Sequence, residues 1–188
     1  MARLIGENQQ SSQDDTLLVD DTYQQFLTFL LGNQVLGIDI LEIKEIIETT
    51  RITRIPKTPA YIRGVINLRG NIVPVIDLSA RLYQHASELS KLSCIVLVEV
   101  ELAHEMHMVG ALIDQVNEIL DIAEVDLLPA PDFGTDIRTE FIKAMGKVNN
   151  EFITLLAIER ILSITELAEF QPIMQENNPQ FQTSEVSK

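Results

Sequence analysis

The side chains able to do chemistry in this chain are few, and their spacing suits none of the usual reactions. Histidine occurs only as His85, His104 and His107. The run His104-Glu105-Met106-His107 offers two imidazoles and a carboxylate. It lacks the helical i, i+4 spacing by which zinc hydrolases bring two imidazoles to one metal. It also falls in an expected hairpin turn, where surface imidazoles need no ligand. Cys94, the single cysteine, opens an apolar strand with no base beside it. That setting suits a buried, inert thiol, and one cysteine excludes an internal disulfide framework. Asp121, Glu124 and Asp126 fall in a loop-like acidic stretch without a basic or nucleophilic partner. Neither a Walker-type loop nor a dinucleotide fingerprint is present. The expectation is a protein that is not an enzyme and holds no metal or cofactor.

Basic residues instead gather at Arg51, Arg54, Lys57, Arg63 and Arg69, five of the chain's 14 within a short stretch. Arg51 and Lys57 read as ordinary surface charge. Arg69 differs, because it stands between Asn67-Leu68 and the turn glycine Gly70, which presents its guanidinium at a strand end. Glu45, in Ile43-Lys44-Glu45-Ile46, is its expected carboxylate partner. Such a pair adds little stability but orients the side chains around a groove. Against 14 basic residues stand 28 acidic ones, a net charge of −14. This balance argues against nucleic acid, whose affinity comes from cations displacing counterions, and against an anionic membrane surface. No apolar run has the length of a membrane span. No leader of charged, apolar and small residues opens the chain at Met1-Ala2-Arg3-Leu4, so a cytoplasmic protein is expected.

The elements that must position these groups are mostly short strands. Gln25–Leu31 and Val35–Ile40 flank Gly32-Asn33-Gln34 as a hairpin, and Asn67–Arg69 and Ile72–Ile76 flank Gly70-Asn71. Pro74 lacks an amide donor and should lie at a sheet edge or a bulge. Cys94–Val100 with Met108–Ile113, and Lys143–Val148 with Glu151–Leu156 around Asn149-Asn150, make two further pairs. Helices are few; the clearest begins at the capping box Ser163-Ile164-Thr165-Glu166 and runs to about residue 170. Residues 1–22, acidic and poor in apolar groups, and residues 171–188 read as mobile tails.

The segments repeat. A shift of 73 places Val35-Leu36-Gly37 on Met108-Val109-Gly110, and Glu45 and Ile46 on Glu118 and Ile119. A shift of 80 aligns Val73, Val75, Ile76 and Leu78 with Ile153, Leu155, Leu156 and Ile158. One hairpin-rich unit of about 75 residues is therefore used twice. Small antiparallel sheets bury one face and protect their edges by curling into barrels, and a groove is expected where two barrels meet.

The block 55–78, which includes Ile62-Arg63-Gly64-Val65-Ile66-Asn67-Leu68-Arg69-Gly70-Asn71-Ile72-Val73-Pro74-Val75-Ile76-Asp77-Leu78, closely resembles the signature of the CheW family, the adaptors of bacterial chemotaxis arrays. The likeness is strongest over 35–78, looser over 92–170, and absent from both tails. It implies a mainly β fold of two SH3-like barrels packed side by side, with short helices and a C-terminal helix. The CheW-like domain would span 23–170, with a first barrel near 23–88 and a second near 89–158. The resemblance implies a scaffold without catalysis, joining the cytoplasmic tip of a chemoreceptor to the regulatory domain of the histidine kinase CheA. A sister pathway such as twitching motility is the alternative. Receptor contact in the family maps onto Ile43, Glu45, Gly64, Val65, Asn67 and Arg69. In physical terms, Ile43 and Val65 would line a groove for a helical hairpin, and Gly64 would admit a helix backbone where any Cβ would clash. Asn67 and Arg69 would supply directional hydrogen bonds at the rim.

Overall fold

The computed structural model describes residues 22–102, 104–131 and 134–162, and strands dominate it. The first half of the chain forms β1 (Tyr23–Leu31), β2 (Gln34–Asp39), a 3-10 turn (Ile40–Glu42), β3 (Ile43–Glu48), β4 (Ile62–Leu68), β5 (Asn71–Asp77) and the short helix α1 (Leu78–Tyr83). The second half forms β6 (Cys94–Leu102), β7 (Glu105–Ile113), β8 (Gln115–Ala123), a 3-10 turn (Glu124–Asp126) and β9 (Leu127–Leu128). A further 3-10 turn (Thr139–Phe141) then leads into β10 (Ile142–Val148), β11 (Glu151–Leu156) and α2 (Ile158–Leu162). The four expected hairpins are present. The capped helix from Ser163 and the tail beyond it lie outside the described residues, as do residues 1–21.

The duplication extends to fine detail. The β4–β5 turn is Arg69-Gly70, with φ of 54° and 91°, and the β10–β11 turn is Asn149-Asn150, with φ of 49° and 66°. Left-handed residues at both turn positions match the twist of the flanking strands. The first turn thus sits one residue earlier than Gly70-Asn71, which brings it into full register with the second at a shift of 80. Bulges repeat too: β4 slips against β5 between Ile62 and Gly64, and β10 against β11 between Ile142 and Ala144.

Two sheets result, ordered β8-β1-β2-β11-β10-β9 and β3-β6-β7-β5-β4. Their composition does not follow the expected division near residue 88. The second sheet is built wholly from the continuous segment 43–113, and the first from the segments on either side of it. The reason is an exchange: β2 of the first copy pairs in parallel with β11 of the second, and β7 of the second with β5 of the first. The chain crosses between sheets at Ile40–Glu42 and at Asp114. Gly37 lies opposite Leu155 and Gly110 opposite Val75, the equivalent points of the two parallel junctions. A Cβ would stand 2.7 Å from Leu155 Cδ2 at Gly37 and 2.6 Å from Ile95 Cγ2 at Gly110. Close packing at each junction therefore explains why glycine recurs at these two places.

Alternation along single strands divides the interior. Leu27, Phe29 and Leu31 of β1, with Val96, Val98 and Val100 of β6, fill the layer between the sheets. Ile95 and Leu97 turn the other way, into the curl of the second sheet, and Phe26 with Ile122 and Leu155 fill the curl of the first. Strands buried on both faces read as the continuous apolar runs seen in the sequence.

Several elements depart from expectation. Asp121 lies in β8 and Glu124–Asp126 in a 3-10 turn, so the acidic stretch is structured, with polar side chains on the exposed face of an edge strand. Pro74 lies in β5, an interior strand rather than an edge, and the neighbouring bulge is carried by β4. It faces Val65, whose amide and carbonyl turn outward to bond Thr53 at 2.8 Å each, so the missing donor leaves no gap in that pair.

Candidate partner-binding rim

The six expected contact residues all belong to the second sheet, on its two edge strands and the β4–β5 turn. Ile43 opens β3 opposite Val98 and packs, half-buried, against the inter-sheet core. Ile46 lies opposite Val96 on the same face and is 40% exposed. On β4, Val65 is half-buried and Asn67 exposed, both on the face opposite to Ile66. Glu45 and Arg69 join the two edges: Arg69 Nη2 donates to Glu45 Oε1 at 2.8 Å. The expected pair therefore forms, and it spans from the edge strand β3 to the β4–β5 turn. Arg69 keeps 74% of its side chain exposed, so most of its fork remains free for another acceptor. Asn67 Oδ1 accepts from Gly70 N at 2.9 Å, which holds the turn that presents Arg69.

Gly64 has a role within the fold. Its φ is +145°, and a Cβ there would overlap the Thr53 carbonyl oxygen and lie 2.8 Å from the Thr53 carbonyl carbon. The close approach that glycine permits is already taken by the chain's own 52–53 segment. None of the six residues lines the cavity beside Val35 and Phe152, the one beside Glu42 and Arg160, or the one beside Tyr23 and Leu41. The Glu45–Arg69 pair thus marks where the two edge strands meet, while Ile43 and Ile46 face the side of β3 opposite to Glu45.

Sequence reasoning missed an ion cluster beside the turn that leads into this rim. Lys143, at the β10 bulge, donates to Asp39 Oδ2 at 2.8 Å and to Glu42 Oε1 at 3.0 Å. Asp39 also caps the 3-10 turn through Leu41 N at 3.0 Å, and that turn leads directly into Ile43. Burial is the largest influence on both charged partners. It lifts the Glu42 carboxyl above its ordinary range. It would pull the Lys143 ammonium down, but hydrogen bonds to Asp39 and Glu42 outweigh it and leave Lys143 above its usual value. The equivalent bulge in the other sheet carries Arg63, whose Nη1 lies 3.3 Å from Oδ2 of the fully buried Asp77. Asp77 caps α1 through Ala80 N and accepts from Ser87 Oγ and N at 2.9 Å. A shift of 80 relates Arg63 to Lys143, and that equivalence was the one signal available in the sequence.

The other reactive groups stand apart. His104, almost fully exposed beside the β6–β7 turn, lies 3.5 Å from Glu101, whereas the mostly buried His107 lies 3.8 Å from Glu105. Cys94 donates to the Leu92 carbonyl at 3.3 Å, and burial, then the Glu48 charge, push its thiol up. A cavity of about 500 Å³ at the far end of the first sheet is lined by Val35, Leu120, Val148 and Phe152 among others. Phe152 is 59% exposed there. Among the described residues no helix is long and apolar enough to cross a membrane.

Comparison with known proteins matches this architecture. The family model described as a CheW-like domain matches residues 25–166. The chemotaxis protein CheW of Klebsiella aerogenes is 37% identical over 145 residues, covering 77% of this chain and 85% of that protein. The protein FrzA of Myxococcus xanthus is 27% identical over 141 residues, covering 74% and 85%. The crystal structure of the scaffolding protein TtCheW from Thermoanaerobacter tengcongensis superposes with a TM-score of 0.68 at 32% identity, over 77% of this chain and 91% of that one.

Proposed function

Because this chain belongs to the CheW family of chemotaxis scaffold proteins, we propose that it is a non-enzymatic, cytoplasmic adaptor coupling the tips of chemoreceptors to the regulatory domain of the histidine kinase CheA. The observation that carries the receptor half of this reading is the rim itself. Arg69 is held at 2.8 Å from Glu45 yet remains largely exposed, and Ile43, Ile46 and Val65 lie on the two edge strands that this pair joins. A helical hairpin presents an apolar ridge flanked by polar side chains, and a rim of this kind offers both contacts. An interface of this scale buries about 1,200 Å² or less and is individually weak and reversible. Linking many such contacts in an array supplies the strength that each one lacks.

Coupling also needs a second surface that stays free while the first is occupied. The exposed Phe152 with Val35, at the end of the first sheet, meets that need and is our assignment for the kinase side. The test is reconstitution: receptor tips, kinase and this protein are mixed, and kinase autophosphorylation is followed. Receptor-dependent activation that requires the protein supports the reading, and no change in autophosphorylation counts against it. Phe152→Ser should lower kinase binding while sparing binding to the tips. The likeness to FrzA favours a second reading, an adaptor for another chemosensory pathway such as twitching motility. Pull-down from lysate separates the two by the kinase and receptors that come down together.

A further inference from the structure

The chain passes between its two sheets at only two places among the described residues, the turn Ile40–Glu42 and Asp114. The first of these leads into Ile43 and Glu45, so its position sets where two of the rim residues point. We propose that Lys143 is a positioning residue for receptor contact, clamping the Ile40–Glu42 crossing from the first sheet so that β3 enters the second sheet at a fixed angle. The inference rests on the adaptor reading for its partner, but the clamp itself stands on geometry alone.

Three observations carry it. Lys143 belongs to β10, three strands along the first sheet from β1, and reaches two carboxylates on either side of the crossing, at 2.8 and 3.0 Å. Glu42 is held where water is scarce: its Oε2 is buried without a hydrogen-bond partner. Lys143 supplies the hydrogen bond and the attraction that favour the charged carboxylate there, while Asp39 and Glu159 repel it. Without the ammonium, Asp39, Glu42 and Glu159 would be left as neighbouring negative charges, with Arg160 as the remaining cation lining the cavity beside Glu42. The natural relief is for Glu42 to swing out to water and take the crossing with it. Thirdly, the other sheet uses the same device at the equivalent position. There Arg63, at the matching bulge, holds Asp77, the cap of α1. A cation at the extra residue of a bulge gripping a helix-capping aspartate is thus built twice into one molecule.

The crossing also contains its own reporters. Leu41 N–H bonds Asp39 Oδ1, and Ile43 N–H bonds the Ile40 carbonyl, so exchange at these two amides measures how firmly the turn is held. The experiment compares wild type, Lys143→Met, which keeps the length but loses the charge, and Lys143→Arg. Each is measured by amide hydrogen exchange and by titration with a soluble chemoreceptor-tip fragment. Lys143→Met should accelerate exchange at Leu41 and Ile43 and weaken tip binding about threefold to fivefold, the range expected for losing a partly exposed ion-pair cluster. Lys143→Arg should restore both, and Phe152-side kinase binding should not change in either variant. Unchanged exchange in Lys143→Met overturns the clamp. Faster exchange with unaltered tip affinity overturns its role in positioning. If the wild type binds no tip at all, the adaptor reading fails, and exchange at the two amides then decides the clamp by itself.

Discussion

Replacing Gly64 by alanine tests whether the buried glycine of the rim serves the fold or the partner. Its φ of +145° lies where a side chain is strained, which costs about 1–3 kcal/mol for a residue other than glycine. The added Cβ also overlaps the Thr53 carbonyl oxygen, so the 52–53 segment must withdraw. Two backbone hydrogen bonds between Thr53 and Val65 weaken with it, at about 1 kcal/mol each. Taken together, Gly64→Ala should lose about 3–4 kcal/mol. For a chain of this length that amounts to a fall in Tm of roughly 10 °C, at about 2–4 °C per kcal/mol. Calorimetry and urea titration measure it, and tip binding is then compared at a temperature where both proteins remain folded. The expected result is a destabilised protein whose folded fraction binds the tip as the wild type does. A variant that melts within about 2 °C of wild type and yet fails to bind would refute the reasoning, because the glycine would then be the place where a partner's backbone approaches.

Arg69→Ala should do the opposite: the pair with Glu45 is largely exposed and contributes under about 1 kcal/mol, so the melt stays nearly unchanged while tip affinity falls. A collapsed melt would make Arg69 structural. Asp77→Ala should cost about 3–5 kcal/mol in a urea titration, since Arg63, Ser87 and the α1 amide lose a buried acceptor together; Asp77→Asn should recover part of it. Separately expressed residues 1–88 and 89–188 should each lack a cooperative melt and regain one on mixing, because that cut runs through the second sheet between β5 and its partner β7. Independent folding of either piece would contradict the exchange of strands.

What could be read from the sequence was local. The four hairpins were legible because their turns carry glycine or asparagine between apolar runs, and the Glu45–Arg69 pair because its position at a strand end left it one obvious partner. β3 is not legible as a strand, since Ile-Lys-Glu-Ile-Ile-Glu satisfies a helical spacing as well as an alternating one, and only pairing with β6 decides between them. β8 is hard to read as a strand because Asn117, Glu118 and Asp121 are exposed and, in sequence, look like a solvated loop. The allocation of strands to sheets was out of reach: an apolar run such as Cys94–Val100 announces burial on both faces but not which neighbour covers it. Lys143 and Asp39 lie too far apart in the chain for charge spacing to suggest their contact.

That allocation bears on how such an adaptor works. Had the two copies folded one after the other, a single linker would join them and the groove between them would be free to open. Instead one sheet is inserted between the parts of the other, so two crossings tie them, and the inter-sheet layer takes side chains from both, including Phe29, Ile38, Val98 and Ile113. Rotating one sheet against the other would expose that layer and strain both crossings at once, at a cost of about 25 cal/mol for each Å² of apolar surface uncovered. Packed layers of this kind resist continuous deformation. With the Arg69 rim and the Phe152 end as the two proposed partner surfaces, a signal passing from receptor to kinase would travel as a change in how they are engaged, with the distance between them held constant. Spin labels at exposed positions near each surface should report one unchanged separation with and without a bound receptor tip, and a separation that shifts on binding would show that the block bends.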